Sequence, residues 1–431
     1  MDITCDILIV GAGLAGLNSA INLDKNLKVI ILSNDKLHKC NSYLAQGGIT
    51  TVKGEKDKKP FIEDTLRAGQ FENDLETVTL VAEEAQSAIQ GLIDLGVPFN
   101  RGEKGELKYT KEAAHSTSRI LYSHDSSGKA IWETLSEEVL KRENIEIMEE
   151  VSLVDLIVKD NKVYGGVALK NNDKLKIYSK ATILASGGIG GVFKHSTNWE
   201  NIQGIGISLA LKYDIKLKDL KYIQLHPTAF HSKCERRKFL ISESLRGEGA
   251  KLIDDDGNRF VDELKPRDYV SNAILKHKLE KDIPCVLLDA RDMGEEYLKN
   301  RFPKIYDYCL EQGIDMAKEP IPVSPCQHYF MGGIAVDSYS RTSMTSLFAC
   351  GEVSCTGLHG KNRLASNSLL EATVFSKRVA DYLNKEIENL TVEYIPYENK
   401  DVKNLENSNL NTLINAIKRE REDLIHELLD N

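Results

Sequence analysis

The sequence lacks a long hydrophobic run, and this absence excludes a membrane-spanning helix. A span needs about 20 consecutive apolar residues, and no run approaches that length; the mean hydropathy is −0.32. The first apolar strand, Ile7–Val10, lies close to the start of the chain, behind the acidic residues Asp2 and Asp6. A signal peptide would need basic residues, a longer apolar run and a cleavage site. The sequence therefore predicts a cytoplasmic protein that does not bind a membrane.

Grouped cysteines and an excess of positive charge are also missing. The 8 cysteines are scattered and none forms a Cys-x-x-Cys pair, which argues against a metal or iron–sulfur site because such sites need grouped thiolates. Buried structural thiols are predicted instead. The 65 acidic residues outnumber the 56 Lys and Arg residues, giving a net charge of −9. A nucleic-acid-binding protein would be basic, so that class is excluded.

A glycine-rich turn of the dinucleotide-binding type directly follows the first strand. Gly11, Gly13 and Gly16 precede a helical pattern, and a second strand is predicted at residues 28–32. In this motif the glycines allow a tight turn, let the backbone approach a pyrophosphate and let the helix pack on the strand. The pattern predicts a bound dinucleotide; a glycine-rich turn without a ligand is the alternative. The acidic residue expected at the strand end comes late, at Asp35, so the ribose contact stays open.

The order of the later segments predicts a cofactor domain interrupted by a second domain. Three strands are expected at 151–158, 163–169 and 175–184, and the last runs into a glycine-rich segment. Residues 225–330 are more polar and helical, and 347–352 then have the pattern of strand, glycine and acid. An apolar stripe near the end predicts a final packing helix rather than a site. It contains Leu410, Leu413, Ile414, Ile417, Leu424, Ile425 and Leu428.

Several segments of the middle and late chain carry cationic, imidazole and hydroxyl side chains. Any one of them alone is ordinary, but together they suggest a pocket for a dicarboxylate. Arginine binds a carboxylate through two parallel hydrogen bonds, and histidine and hydroxyl groups can hold a second carboxylate. The segments are Gln224–Thr228, Ser242–Gly249, Pro266–Asp268, His328–Gly333 and His359–Glu371.

With these motifs the chain resembles the fumarate reductase/succinate dehydrogenase flavoprotein family, and within it the members that oxidise L-aspartate. The resemblance covers about residues 5–385, and long motifs occur in family order. They are NSYLAQGG at 41–48, HPT at 226–228, SESLRGEG at 242–249, PRD at 266–268, HYFMGG at 328–333 and GLHGKNRLASNSLLE at 357–371.

The resemblance implies an α/β fold: a Rossmann-type FAD-binding domain with an inserted α+β capping domain and a short helical C-terminal tail. The expected boundaries are 1–224 and 331–388 for the two parts of the FAD-binding domain, and 225–330 for the capping domain. Residues 389–431 would form a helical region that is truncated relative to the family.

The resemblance also implies that FAD is bound noncovalently. Covalent members of the family place a histidine where Asn41 stands, so a covalent flavin link is not expected. The family usually has an acidic residue at position 205, where this chain has Ile205, and a cofactor contact there should be missing. The implied cofactor-binding residues are Gly11, Ala12, Gly13, Leu14, Ala15, Gly16, Asn34, Asn41, Ser42, Tyr43, Leu44, Ala45, Gln46, Gly47, Gly48, Glu352, Asn367, Ser368 and Leu369.

For the substrate, the resemblance assigns a clamp of two carboxylate sites and a proton-transfer group. Glu112 would meet the substrate ammonium, which separates aspartate from succinate; a surface helix charge is the alternative for this residue. By motif position, His226 and Ser242 would bind one carboxylate, and His328 and Arg363 would bind the other; Ser242 provides a hydroxyl where threonine is usual. Gln224 would lie at the substrate. Arg267 would be the proton donor or acceptor, connected to solvent through Glu243 and Arg246.

The expected activity is therefore FAD-dependent oxidation of L-aspartate to 2-iminosuccinate, with electrons passed to oxygen or fumarate. The expected partners are small dicarboxylates such as L-aspartate and fumarate, and quinolinate synthase, which takes the product toward NAD. Two alternatives remain open. One is a soluble fumarate reductase or succinate dehydrogenase flavoprotein subunit; the other is a flavin-binding partner of quinolinate synthase with little turnover.

Overall fold

The computed structural model describes residues 2–232, 235–398 and 402–429. The residues outside these ranges belong to the predicted domains at 1–224, 225–330 and 389–431, and one of them, Cys234, is among the predicted buried thiols. The strands in the described ranges are, in chain order, β1 Asp2–Val10, β2 Val29–Leu32, β3 Ile49–Thr50, β4 Tyr109–Thr110, β5 Ile120–Leu121, β6 Ile145–Met148, β7 Val151–Lys159, β8 Lys162–Lys170, β9 Asp173–Leu184, β10 Leu217–Lys218, β11 Ile223–Phe230, β12 Lys251–Ile253, β13 Val286–Asp289, β14 Ile321–Phe330, β15 Gly333–Ala335, β16 Leu347–Ala349 and β17 Ser354–Cys355.

The helices alternate with these strands in the first part of the chain, as in an α/β fold. They are α1 Leu14–Asn22, α2 Asn41–Leu44, α3 Glu55–Ala68, α4 Leu75–Asp94, α5 Ser127–Leu140, α6 Ile205–Lys212, α7 Glu243–Gly247, α8 Arg267–Lys281, α9 Glu295–Arg301, α10 Pro303–Glu311, α11 Asn367–Glu386 and α12 Leu405–Glu420.

The main sheet has the strand order β6-β2-β1-β9-β8-β7, and β16 also pairs with β9. Strands β6, β2, β1, β9 and β16 are parallel neighbours, with Ile7 opposite Val29 and Val10 opposite Leu184. Both β1 and β2 are buried on both faces in their apolar parts, which explains why their sequences are continuous apolar runs rather than alternating ones. The carboxyl ends of these strands therefore meet at one edge of the sheet, where ligands bind in such folds.

The predicted three-stranded unit after residue 150 is confirmed. Strands β7, β8 and β9 pair antiparallel in sequence order. The two turns use residues with positive φ, Asp160 and Asn161 in one and Asn171 and Asn172 in the other. Such turns match the twist of paired strands, and Asn and Asp tolerate positive φ better than most residues. Strand β9 is long enough to pair with β8 near its start and with β16 near its end.

A second sheet, with the order β11-β14-β13-β12, is antiparallel throughout. Helices α8, α9 and α10 cover it and share its apolar core, which includes Ile274, Leu298 and Ile305. The pairing of β11 with β14 is irregular on both sides of His226. Such irregularities re-aim side chains, and this one lies beside the site described below.

The last helix differs from the prediction. Helix α12 ends at Glu420, and the following residues form a 3₁₀ turn, Glu422–Glu427. Because a 3₁₀ turn has three residues per turn instead of 3.6, the apolar positions after the break no longer continue the same stripe: Leu424 is buried, but Ile425 is 45% exposed. The expectation of one stripe from Leu410 to Leu428 is therefore wrong at Ile425.

Helix α12 packs on the main sheet through Leu413, Ile414 and Ile417, which belong to the core on one face of that sheet. Of the cysteines in the described ranges, Cys40 and Cys285 are only half-buried and the others are buried. Within those ranges no helix has the length and apolarity to cross a bilayer.

Candidate functional site

A long cavity lies at the carboxyl edge of the main sheet. Its wall begins where β1, β2 and β9 end, at Gly11, Ser33 and Ala185, and it extends to Arg267 and Arg363. One end is thus lined by backbone at strand ends, and the other end by buried cations. A cavity of this shape suits an elongated cofactor at one end and an anionic substrate at the other.

The glycine-rich turn forms the wall of the cavity at the start of α1. Gly11 has φ +115°, which L side chains rarely adopt, and a Cβ on Gly16 would lie 1.9 Å from the carbonyl oxygen of Gly11. At Gly13 a Cβ would instead point towards the Ser42 hydroxyl, 3.2 Å away. That hydroxyl also accepts a hydrogen bond from the Leu14 amide at 3.0 Å. The turn can therefore hold a pyrophosphate close to its backbone amides.

The segment 41–48 covers the next part of the cavity. The Asn41 side chain donates to Asn198 Oδ1 at 2.8 Å and accepts from the Trp199 amide at 3.1 Å. Both of its polar atoms are thus bonded within the protein. Tyr43 points away from the cavity and packs edge-on against Trp132, with ring centroids 5.4 Å apart. Its predicted role at the cofactor therefore has no direct geometric support.

Most of the predicted cofactor residues line this cavity, while Gly16, Tyr43 and Asn367 do not. Asn367 is fully buried and donates to Thr65 Oγ1 at 3.1 Å. The predicted residues in the lining are Gly11, Ala12, Gly13, Leu14, Ala15, Asn34, Asn41, Ser42, Leu44, Ala45, Gln46, Gly47, Gly48, Glu352, Ser368 and Leu369. Burial raises the pKa of Glu352 to about 7.

The far end of the cavity is dominated by Arg267, the first residue of α8. Its guanidinium donates to Glu243 Oε2 at 2.5 Å and to Gln224 Oε1 at 2.9 Å. Glu243 Oε2 also lies 3.4 Å from the Arg246 guanidinium. Burial would raise the pKa of Glu243, but the positive charges of Arg267 and Arg246 outweigh it and lower the pKa below its usual value. Glu243 is therefore an ionised carboxylate between two guanidinium groups.

Two histidines stand near these cations, with ring centroids 5.0 Å apart. His226 Nδ1 accepts from the Thr228 amide at 3.2 Å, which assigns the proton to Nε2; within the described residues this Nε2 is buried without a hydrogen-bond partner. His328 Nε2 accepts from Arg363 at 3.0 Å, and His328 Nδ1 lies 2.6 Å from Thr197 Oγ1. Burial, with Arg267 next, holds the pKa of both imidazoles well below the usual range. Both are therefore neutral.

Arg363 completes this end of the cavity. Its guanidinium lies 4.2 Å from the ring centroid of Tyr329 and donates to the Ser368 hydroxyl at 3.0 Å. Burial and the neighbouring Arg267 lower the pKa of Arg363 to about 10, so it is still charged near neutral pH. Its Nε is buried and has no hydrogen-bond partner among the described residues. An anion in the cavity would find this donor available.

Glu112 lines the cavity near Glu243 and Arg267 and is 2% exposed. The Ser244 hydroxyl donates to its carboxylate at 3.2 Å, and the Ser366 hydroxyl donates to the other oxygen. Burial raises the pKa of Glu112, and the nearby Glu243 adds to the effect. The side chain also lies against Gly47, where a Cβ would come within 1.9 Å of its oxygen. Glu112 is thus a buried acid, and the surface-charge alternative is excluded by its burial.

The structure brings most of the predicted substrate and catalytic residues into one wall: Glu112, His226, Ser242, Glu243, Arg267, His328 and Arg363. Gln224 and Arg246 stand behind this wall. Gln224 bridges Arg267 to Asn362 Oδ1 and to the Arg363 carbonyl. Arg246 donates to the Glu263 carbonyl at 2.5 Å.

Several residues of the site were not predicted from the sequence. Thr197 and Asn198 support His328 and Asn41, and Ser244 and Ser366 hold Glu112. The serines lie inside quoted motifs, so a search for donors to a buried acid could have found them; no motif marks Thr197 or Asn198. The lining also contains Glu406, Asn407, Asn409 and Leu410 of α12. The expectation that this helix only packs is therefore wrong.

Comparison with known proteins gives a consistent result. The family described as FAD binding domain matches residues 6–369. The L-aspartate oxidase of Clostridium acetobutylicum is 50% identical over 428 residues, 99% of this chain and 96% of that protein. The L-aspartate oxidase of Clostridium perfringens is 50% identical over 98% of this chain and 97% of that protein. That of a Nostoc species is 39% identical over 87% of this chain and 67% of its own length.

Solved structures agree on the fold. The FrdA subunit of Escherichia coli quinol fumarate reductase superposes with a TM-score of 0.85 at 29% identity, covering 96% of this chain and 75% of that one. A flavocytochrome c3 fumarate reductase in an open conformation gives a TM-score of 0.69 at 26% identity, covering 89% of this chain and 79% of that one. The cofactor of such a fold is FAD, and the glycine-rich turn and the long cavity fit it.

Proposed function

Because the chain belongs to the FAD-binding flavoprotein family that includes the L-aspartate oxidases, we propose that it oxidises L-aspartate to 2-iminosuccinate. The observation that carries this proposal is the charge pattern at one end of the FAD cavity. Buried guanidinium groups of Arg267 and Arg363 stand there with a buried carboxylate, Glu112. Aspartate has two carboxylates and an ammonium, so this pattern is complementary to it, whereas succinate has nothing for Glu112 to bind.

The carboxylates would be bound by donors that the protein leaves available. His226 Nε2 and Arg363 Nε are buried without partners in the described part of the chain, and a buried donor without a partner is costly unless a ligand satisfies it. Ser242 lies at the same wall. We assign one carboxylate to His226 and Ser242 and the other to Arg363 and His328. To donate to a carboxylate, His328 would have to carry its proton on Nε2, with Nδ1 accepting from Thr197 Oγ1, and the Arg363 contact at Nε2 would be lost.

When bound, FAD supplies the acceptor for the hydride that leaves the substrate Cα. The residues at the turn and at 41–48 would hold the cofactor, and the clamp would fix the substrate in one orientation, which is the main requirement for hydride transfer. Oxidation also releases a proton from the substrate nitrogen. Reduction of fumarate is a different reaction, in which one carbon takes a hydride and the other carbon takes a proton.

We assign proton transfer to Arg267. Its guanidinium lies at the cavity wall and is bonded to Glu243, which in turn lies beside Arg246. Arg246 reaches the carbonyl of Glu263, a residue paired through its carboxylate with Arg259, whose side chain is 52% exposed. The linked charges of Arg267, Glu243 and Arg246 support proton transfer at the cavity wall, whereas the Glu263 carbonyl only accepts a hydrogen bond from Arg246 and relays no proton.

The product and the location of the enzyme extend the proposal. Electrons from the reduced cofactor would pass to oxygen or fumarate, and quinolinate synthase would use 2-iminosuccinate. We also propose the cytoplasm as the compartment. A coupled reaction with purified quinolinate synthase tests the partner: with L-aspartate and oxygen or fumarate supplied, the second protein should consume the 2-iminosuccinate that the first one forms, and unchanged accumulation of that product would contradict the assignment.

The experiment that tests the function is anaerobic mixing of the purified yellow protein with L-aspartate and, separately, with succinate. We expect L-aspartate to bleach the flavin absorbance and succinate to leave it unchanged or bleach it far more slowly. Bleaching by succinate alone would favour a dicarboxylate oxidoreductase. Bleaching by neither would favour a flavin-binding protein with little turnover.

A further inference from the structure

Helix α12 lines the cofactor cavity with side chains that no motif connects to FAD. Glu406, Asn407, Asn409 and Leu410 all belong to the lining. Glu406 and Asn407 are exposed, Leu410 is half-buried, and Asn409 is buried. Among the residues described, the carboxylate of Glu406 has no hydrogen-bond or ion-pair partner. The helix therefore brings a free acceptor and an apolar surface to the cavity.

The position of α12 in the topology identifies which part of FAD it faces. In a Rossmann-type fold the pyrophosphate lies at the first turn and the ribose at the end of the second strand. Ser33 and Asn34 follow β2 and line the cavity together with Val151 at the start of β7. The backbone joins these segments directly, since the Val151 amide donates to the Ser33 carbonyl at 2.9 Å. This end is therefore the adenosine end, and the cations mark the flavin end.

Helix α12 is fixed at this end by contacts with β7 and α6. Asn409 donates from its side chain to the Val154 carbonyl of β7 at 2.9 Å. Leu413 packs so closely beside α6 that a Cβ on Gly204 would lie 2.4 Å from it. The next residue, Ile205, also lines the cavity and offers only an apolar side chain there. Ile205 therefore offers no acceptor to the polar groups of adenosine, and the polar residues of the lining at this end include Ser33, Asn34 and Glu406.

We propose that α12 binds the adenosine half of FAD, with the Glu406 carboxylate accepting a hydrogen bond from an adenosine hydroxyl or amino group. Leu410 covers the apolar surface of the same half. The C-terminal helix is then a part of the cofactor site and supplies an acceptor at the point where Ile205 has none. The proposal predicts that removing the Glu406 carboxylate lowers the affinity for the adenosine half of FAD and leaves the affinity for the flavin half unchanged.

The test compares ligands that each keep one half of FAD. The Glu406→Ala holoenzyme is diluted and the release of FAD is followed by its fluorescence. Apoprotein is then titrated with FAD, with ADP, which keeps the adenosine half, and with FMN, which keeps the flavin half. Glu420→Ala, an exposed acid at the other end of α12, is the matched control. Because Glu406 is also exposed, its replacement should not disturb folding, and circular dichroism of both variants checks this.

We expect FAD release from Glu406→Ala to be about tenfold faster, at the lower end of the range for a charge-assisted hydrogen bond because the group is exposed. The dissociation constants for FAD and ADP should rise by a similar factor, while the constant for FMN and all values for Glu420→Ala stay unchanged. Unchanged FAD release would overturn the proposal. Equal weakening of FMN and FAD would also overturn it, because the effect would not be confined to adenosine.

Discussion

Replacing Glu112 by glutamine should separate the oxidation of L-aspartate from the reduction of fumarate. The substitution removes the negative charge but keeps the size of the side chain and one acceptor oxygen. The serine hydroxyls of Ser244 and Ser366, which donate to the carboxylate, can both rotate to suit an amide. The fold around the residue should therefore survive, and the main loss is the charge that meets the substrate ammonium.

The size of the effect follows from the burial of Glu112. Hydrogen bonds to charged groups contribute about 1.5–3 kcal/mol, and 1.4 kcal/mol is about tenfold in a rate or binding constant. With 2% exposure, solvent screens the charge weakly. We expect kcat/KM for L-aspartate to fall about ten- to a hundredfold. Fumarate carries no ammonium, so its reduction should change little.

The pH dependence offers a second readout of the same charge. Burial and Glu243 raise the pKa of Glu112, so its carboxylate takes up a proton at a higher pH than an ordinary glutamate does. As the pH falls through this raised pKa, L-aspartate oxidation by the wild-type enzyme should be lost. Fumarate reduction should not show this step, and neither reaction of Glu112→Gln should show it.

The assay is stopped-flow flavin reduction by L-aspartate under anaerobic conditions, and reoxidation of the reduced flavin by fumarate in the same preparation. Ser366→Ala is the matched control, because it removes a donor to Glu112 and keeps the charge. Equal losses on the two substrates would refute the reasoning and make Glu112 a structural residue.

Four further outcomes are expected. Acid or heat should release all the flavin, because Asn41 cannot form a covalent link; colour that stays with the denatured polypeptide would contradict this. Arg363→Leu should reduce dicarboxylate affinity and rate together, whereas Arg267→Lys should keep binding, followed by the flavin spectral shift, and slow fumarate reduction by about 10²–10⁴-fold. Poor binding with normal turnover in Arg267→Lys would reverse these roles. Asp64→Ala should destabilise the fold by about 1–3 kcal/mol, the cost of a buried donor left without its partner, because fully buried Arg119 loses the Asp64 contact at 2.6 Å but keeps its ion pair with Asp57 at 3.0 Å; an unchanged denaturation midpoint would contradict this.

Local sequence patterns were enough to predict the start of the chain and the three-stranded β7–β9 unit. Strands β1 and β2, the glycine turn between β1 and α1, and the β7–β9 unit each depend on a short apolar run and on turn residues beside it. Asn171 and Asn172, for example, can adopt the positive φ that their turn needs. Such signals are contained within a few neighbouring residues, so the sequence determines them without knowledge of the rest of the chain.

The sequence could predict which residues belong to the site, but it could not predict their positions and contacts within it. The sequence identified Arg267 and Gln224 as members of the site, but the fold decides that Gln224 turns away from the cavity to hold Arg267. Likewise, the fold brings Thr197 to His328, and no spacing in the sequence connects the two. Contacts of this kind depend on how the two sheets pack, which local patterns do not specify.

The end of the chain shows the same division most clearly. The apolar residues of α12 predicted that the helix packs on the core, and Leu413, Ile414 and Ile417 are indeed buried. The break after Glu420 and the exposure of Ile425 depend on the path that the chain takes across the sheet. The presence of Glu406 in the cofactor cavity depends on the same path, because an exposed acidic residue on an amphipathic helix is common and gives no sign in the sequence of a site. Periodicity determines which face of a helix is buried, whereas only the packed structure decides what lies next to its remaining faces.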